Sequence, residues 1–202
     1  MTLIQPPLYY WSIPLRVWVE YEIKYGIELD KKLDSISRYQ DIEEAYQQYQ
    51  VELYEKTYSH YTDTPLEEVK QIPLSELIPL MGNLFLSWKE QETRVRWDKI
   101  LKWKGEQYTI RPIEVKNHNN LTEKELDYIT DYALCVSDMQ DGNVESIYEL
   151  CAILLRKPHE SYTTELKDTR KELFRDLPLN HAKSVMFYWK YSIDKMKELK
   201  MI

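Results

Sequence analysis

The spacing of apolar positions along this chain is helical, then alternating, then helical again. The alternating stretch runs from Arg94 to Val115, RVRWDKILKWKGEQYTIRPIEV. On its first arm Val95, Trp97, Leu101 and Trp103 share one parity, with Lys99 as the exception. On its second arm Tyr108 and Ile110 alternate with Gln107, Thr109 and Arg111. Alternate residues of a strand face opposite sides, so each arm offers one apolar face. Lys104-Gly105-Glu106 between them suits a three-residue hairpin loop, because glycine accepts positive φ without a Cβ clash. Pro112 cannot donate to a ladder, so the second arm ends there or lies at an edge.

Before the hairpin, the pattern predicts helices over residues 15–93. Leu15 to Tyr25 fits two periods. Its odd positions alternate as in a strand, whereas Arg16, Glu20 and Lys24 form a helical i, i+4, i+8 stripe that leaves Glu22 as the one misplaced charge. Helix is the reading adopted. A short helical turn is expected over Asp30–Tyr39. A longer helix is expected over Asp41–Tyr61, with Ile42, Tyr46, Tyr49 and Leu53 on one stripe. Thr64-Pro65-Leu66-Glu67 has the form of a capped helix start. Pro73 opens a further helix carrying Leu77, Leu80, Leu84 and Trp88 on one face, and Pro79 should kink it or fall in its first turn.

After the hairpin and a polar His118-Asn119-Asn120 loop, Thr122-Glu123-Lys124-Glu125 spells a capping box. It opens a helix to about Met139 that Asp141-Gly142-Asn143 ends. Further helices are expected over Val144–Arg156, Thr163–Arg175 and His181–Lys200. Short connections favour packing these four, over 121–202, as an antiparallel bundle. Residues 1–14, MTLIQPPLYYWSIP, form an extended aromatic arm that lies across the domain or reaches to a neighbour. The fold expected is mainly α: one domain over 1–202, a helical bundle with an inserted β-hairpin at about 94–115.

Composition changes this picture in three ways. Lys and Arg total 27 against 34 Asp and Glu, a net charge of −7, which argues against nucleic acid or an anionic membrane as the main partner. Between Arg94 and Arg111, however, six basic residues meet two acidic ones, a local balance of +4. Arg94, Arg96, Lys99, Lys102, Lys104 and Arg111 could bind a phosphate backbone, an acidic patch on a protein, or simply solvate the outer face of the hairpin. Four glycines, widely separated, exclude a Gly-rich phosphate loop. Seventeen tyrosines suit either half-buried interfaces or a core built from tyrosine in place of leucine.

Site chemistry is sparse. His60, His118, His159 and His181 are scattered without ligand spacing, so no metal site is expected. Cys135 and Cys151 fall among apolar residues and read as buried free thiols. Adjacent glutamates at 43–44 and 67–68 point in different directions on a helix and read as solvated faces. No catalytic residue, cofactor, signal peptide or membrane span is expected.

Three blocks add a resemblance. YYWSIPLRVW with the Ile36–Tyr39 turn, GEQYTIRPIEV with LTEKELDYI, and IYELCAILLRKPHESYT with AKSVMFYWKYSI occur in that order over most of the chain. Together they resemble a small structural or tail-assembly protein of tailed (crAss-like) bacteriophages infecting Bacteroidetes. The resemblance implies a non-enzymatic role as a connector or ring component, or as a tail-assembly chaperone absent from the virion. It implies other phage structural proteins as partners, a homo-oligomer in the assembly, and a location in the tail or connector region or in the host cytoplasm during assembly. The basic hairpin residues above, with Tyr9, Tyr10 and Trp11 of the arm, are the candidate partner-binding residues. A nucleic-acid-binding accessory protein using the hairpin is the alternative of a different class.

Overall fold

The computed structural model describes residues 3–7, 9–39, 41–94, 98–111 and 122–198, without the side chains of 10, 92–94 and 191–198. It is mainly α-helical with a small antiparallel sheet. Two compact units divide the chain. Unit one comprises Met1–Ile13 and Val17–Val95, and unit two comprises Pro14–Arg16 and Arg96–Ile202.

Unit one begins with the aromatic arm, which lies across its own helices. Tyr58 accepts a hydrogen bond from the backbone N–H of Ile4 at 2.9 Å, and Trp88 Nε1 donates to Pro7 O at 3.1 Å. Leu3 packs against the main core. The 15–25 segment is helical. Helix α1 (Leu15–Tyr21) runs through a π-helical turn (Glu22–Gly26) into α2 (Ile27–Ser35). The charge that the helical period misplaces, Glu22, opens that wider turn, where the residue-to-face relationship shifts. A 3₁₀ turn (Ile36–Arg38) leads to α3 (Ile42–Thr62), capped by Asp41, whose side chain accepts from the Glu44 N–H. Only half of the expected α3 stripe turns inward: Tyr49 is buried, whereas Ile42 and Tyr46 are exposed.

The expected cap at Thr64 is replaced by a different arrangement. Helix α4 (Leu66–Val69) has Pro65 at its N-cap with no side-chain cap bond, and Thr64 Oγ1 instead meets Thr62 Oγ1 at 2.8 Å. The carbonyl of Thr64 accepts from Ser59 Oγ, so the chain reversal is tied back to α3. Helix α5 (Leu74–Arg94) carries Pro79 within it, beyond the first turn. Leu77, Met81, Leu84 and Trp88 of α5 close over Tyr58, Val69 and Ile72. Aromatic rings extend this core: Tyr61 packs edge-on to Trp88 at 5.5 Å, Phe85 lies 5.4 Å from Trp88, and Tyr54 lies 5.5 Å from Phe85.

Unit two is built around α7 (Ser146–Leu154), all of whose residues but Glu149 are buried. Around it pack α6 (Glu123–Gln140), α8 (Thr164–Phe174) and α9 (Leu179–Glu198). The Thr122 capping box is present in full, and Gly142 takes φ +89° where α6 ends. The hairpin consists of β1 (Ile100–Trp103) and β2 (Glu106–Ile110), shorter than the 94–115 span. Its connection has two residues rather than three. Trp103 pairs with Glu106, and Lys104 and Gly105 both take positive φ, 47° and 77°. That is the turn whose twist matches paired strands. Val95, Trp97, Pro112 and the His118–Asn120 loop lie outside the described residues.

The expected Val144–Arg156 helix stops early. Leu155 and Arg156 leave α7 to form β3, which pairs antiparallel with β2 (Thr109 with Arg156, Ile110 with Leu155), giving the order β1-β2-β3. Pro158 disfavours helical backbone ahead of it, and the Arg111 N–H takes the Leu154 carbonyl at 2.9 Å. Leu101, Tyr108 and Ile110 turn inward, and Trp103 and Tyr108 meet the ring of fully buried Phe174. Pro14–Arg16 joins this unit by backbone: the N–H groups of Leu15 and Arg16 donate to Leu177 and Arg175 at 2.8 Å each.

Candidate functional site

The residues singled out in the sequence are divided between the two units. Lys102 and Lys104 are exposed on β1 and at the turn, the Lys104 ammonium lying 4.5 Å from the Trp103 ring centre. Tyr9 is 70% exposed, while Trp11 Nε1 donates to Trp88 O within unit one. Arg96 and the side chains of Arg94 and Tyr10 lie outside what is described. Lys99 and Arg111, in contrast, come together at the rim of one cleft in unit two, of about 860 Å³.

The floor of that cleft is Arg156. Its position follows from the early end of α7, because turning Leu155 and Arg156 into β3 carries the guanidinium under the sheet edge. It is only 3% exposed. Its Nη1 donates to Ala152 O at 2.8 Å and to Leu155 O at 3.3 Å, and its Nη2 has no partner among the described residues. The guanidinium carbon lies 4.7 Å from the Tyr162 ring centre and 5.6 Å from that of Tyr128, and the two rings are 5.0 Å apart. Burial pushes the Arg156 pKa down to about 10, so the group is still a cation at neutral pH. Leaving a buried guanidinium N–H unpaired costs on the order of 1–3 kcal/mol.

The two tyrosines are fixed by their hydroxyls. Tyr128 on α6 donates to Arg111 O at 2.9 Å, and Tyr162 donates to Asp131 Oδ2. Burial raises the Tyr128 hydroxyl to about 12, and burial with the Asp131 carboxylate raises that of Tyr162 further. Asp131 in turn meets Lys167, which bridges to Glu149, at 3.0 Å to each. For Asp131, burial alone would raise the carboxyl pKa. The hydrogen bonds from Tyr162 and Lys167 outweigh it and hold the pKa below the usual range.

Two carboxylates also line the cleft, and both are engaged. Glu160 accepts from Arg170 Nη2 at 2.5 Å and from the Lys157 N–H at 2.8 Å. Glu125 accepts from the Thr122 N–H and Oγ1 at 2.9 Å each as part of the capping box. Lys99, Arg111, Lys124 and Arg156 against Glu125 and Glu160 leave the lining at +2. Sequence reasoning missed Arg156, Tyr128 and Tyr162. The available signal was a lone arginine closing the apolar run Cys151–Leu155, a place where a cation needs a reason.

The other titratable groups among the described residues form no comparable centre. Burial raises the Cys135 thiol to about 12, and Cys151 is raised as well, so both stay protonated. Among the described residues no group of three or more His, Cys, Asp or Glu is placed to hold a metal ion, and no helix is long and apolar enough to cross a membrane. Comparison with protein-family models, with curated proteins and with solved structures returned no match.

Proposed function

We propose that this chain is a non-enzymatic structural or assembly protein of a tailed-phage particle, acting through protein–protein contacts as a connector or ring component. The resemblance carried by YYWSIPLRVW, GEQYTIRPIEV and IYELCAILLRKPHESYT supplies the setting. The observation that carries the mode of action is a ridge on α5. Leu74, Ile78 and Leu86 lie on one i+4 row, with Gly82 between them, and are 46%, 43% and 62% exposed. The row is about 18 Å long at 1.5 Å per residue. Rows of this spacing are what one helix inserts into the groove of another. Single exposed leucines are ordinary on a protein surface, but an ordered row on one helix suits a docking face.

The same reading accounts for the chemistry. Buried, protonated thiols and dispersed histidines give a reaction little to work with, and side-chain ion pairs serve to hold helices together. Mass spectrometry of purified particles made by the genome encoding this chain tests the reading. Stoichiometric copies in the particle are expected. Presence in the infected cell but not in the particle would replace it with the assembly-chaperone alternative, and a gene carried outside any phage genome would end it.

A further inference from the structure

We propose that the unit-two cleft receives a carboxylate of an acidic peptide segment on a partner protein, with Arg156 Nη2 as the buried donor and Lys99, Arg111 and Lys124 as the charged rim. This rests on the reading of the chain as an assembly protein and names the chemistry of one of its partners.

Three observations converge on an anion. A guanidinium that is 3% exposed keeps Nη2 without a partner among the described residues. No carboxylate among the described residues forms an ion pair with it, because Glu160, the nearby one, is taken by Arg170. Three further cations line the same cleft from three different segments, β2's end, the approach to β1 and the first turn of α6. An oxyanion reaching Nη2 would satisfy a nitrogen without a partner on a group whose Nη1 already donates to two carbonyls, and charge-assisted bonds of this kind are the strong ones.

The lining favours a carboxylate on a peptide over a phosphate chain. Ile110 and the rings of Tyr128 and Tyr162 form apolar walls, which suit the side chains and backbone flanking an acidic residue. Glu125 and Glu160 keep the lining at +2, enough for one or two carboxylates but opposed to the dense charge of a phosphate backbone. The tyrosines flanking Arg156 are anchored through Arg111 O and Asp131, so the walls are set before any ligand arrives.

The test is calorimetric titration of the full chain with capped hexaglutamate, beside capped hexaglutamine, inorganic phosphate and decathymidylate. Wild type, Arg156→Lys and the double variant Lys99→Gln/Lys124→Gln are compared after circular dichroism has verified their helical content. Hexaglutamate is expected to bind, hexaglutamine not. Arg156→Lys should weaken binding by about tenfold or more, because lysine lacks the planar fork. The rim variant should weaken it by roughly threefold and flatten its salt dependence. Lys99 and Lys124 are exposed, so that variant decides the matter even if Arg156→Lys fails to fold. No binding of hexaglutamate, equal binding by the variants, or tighter binding of phosphate or decathymidylate would each overturn the proposal. Failure here with the chain present in particles would remove this partner chemistry alone and leave the assembly role standing.

Discussion

The two units differ in the charge they carry. Unit one holds 8 basic and 16 acidic residues, a balance of −8, whereas unit two holds 19 and 18, a balance of +1. Each has a cleft that follows its sign. The cleft of unit one, about 610 Å³, is lined by Glu44, Glu52 and Glu55 with Lys56 and Lys70, and its cations are satisfied. Lys56 meets Glu28 at 2.9 Å and Glu52 at 2.7 Å, and Lys70 meets Glu67 at 2.8 Å. In unit two Lys167 and Arg170 are paired likewise, but a third buried cation, Arg156, keeps an Nη2 with no partner among the described residues. A saturated ion pair holds elements together, whereas the unpartnered Arg156 is where the proposed carboxylate would sit. The cores differ too: unit one stacks aromatic rings, and unit two wraps an aliphatic helix.

That contrast can be broken most severely at the centre of unit two. Phe174→Ala removes a fully buried ring that supports both Trp103 and Tyr108. It should cost about 3–5 kcal/mol in urea unfolding. A loss under 1 kcal/mol would mean the hairpin does not depend on α8.

Next in size is Lys167→Met, which removes the cation bridging Asp131 and Glu149 and should cost about 3 kcal/mol at neutral pH. Its pH dependence has a definite sign. The folded Asp131 pKa lies below its unfolded value, so the stabilisation is full above the ordinary carboxylate value of about 3.9 and is lost as pH falls through the lower folded value. The gap between wild type and variant should therefore narrow when urea midpoints are followed from neutral pH to about 2.5. A gap that widens in acid would contradict the network.

Smaller effects sharpen the comparison. Gly105→Ala at φ +77° should cost about 1 kcal/mol by straining the hairpin turn. In unit one, Tyr58→Phe deletes the acceptor for the Ile4 N–H and should cost about 1 kcal/mol. It should also speed hydrogen exchange at residues 3–7, and unchanged exchange there would show that the arm is held by packing alone.

Much of this fold was legible in the chain because local chemistry and tertiary need agreed. The Thr122 capping box, the Asp141-Gly142-Asn143 stop and the alternation around Gly105 each specify their own backbone. Legibility failed where one segment answered to another. Leu155 and Arg156 complete a helical pattern, but β2 captures them, and no local signal states that a strand lies alongside. Thr64 carries a capping signature, yet its hydroxyl is drawn to Thr62. The cleft was hidden for the same reason: Lys99 and Arg111 stood out in a basic hairpin, while Arg156, Tyr128 and Tyr162 reach them only through sheet pairing and helix packing. The tyrosine surplus supplies both core and surface. Tyr25, Tyr49 and Tyr58 are core residues, and Tyr9, Tyr39 and Tyr46 are exposed.

The central claim, action through protein contacts, is tested most directly by absolute mass in solution. Light scattering would follow wild type and Leu74→Lys/Ile78→Lys/Leu86→Lys over a range of protein concentrations. The three positions are exposed, so the variant should keep its helical content. The account predicts that wild type gains mass with concentration and that the variant stays monomeric. Identical association by both would contradict it, because the α5 ridge would then carry none of the contact assigned to it.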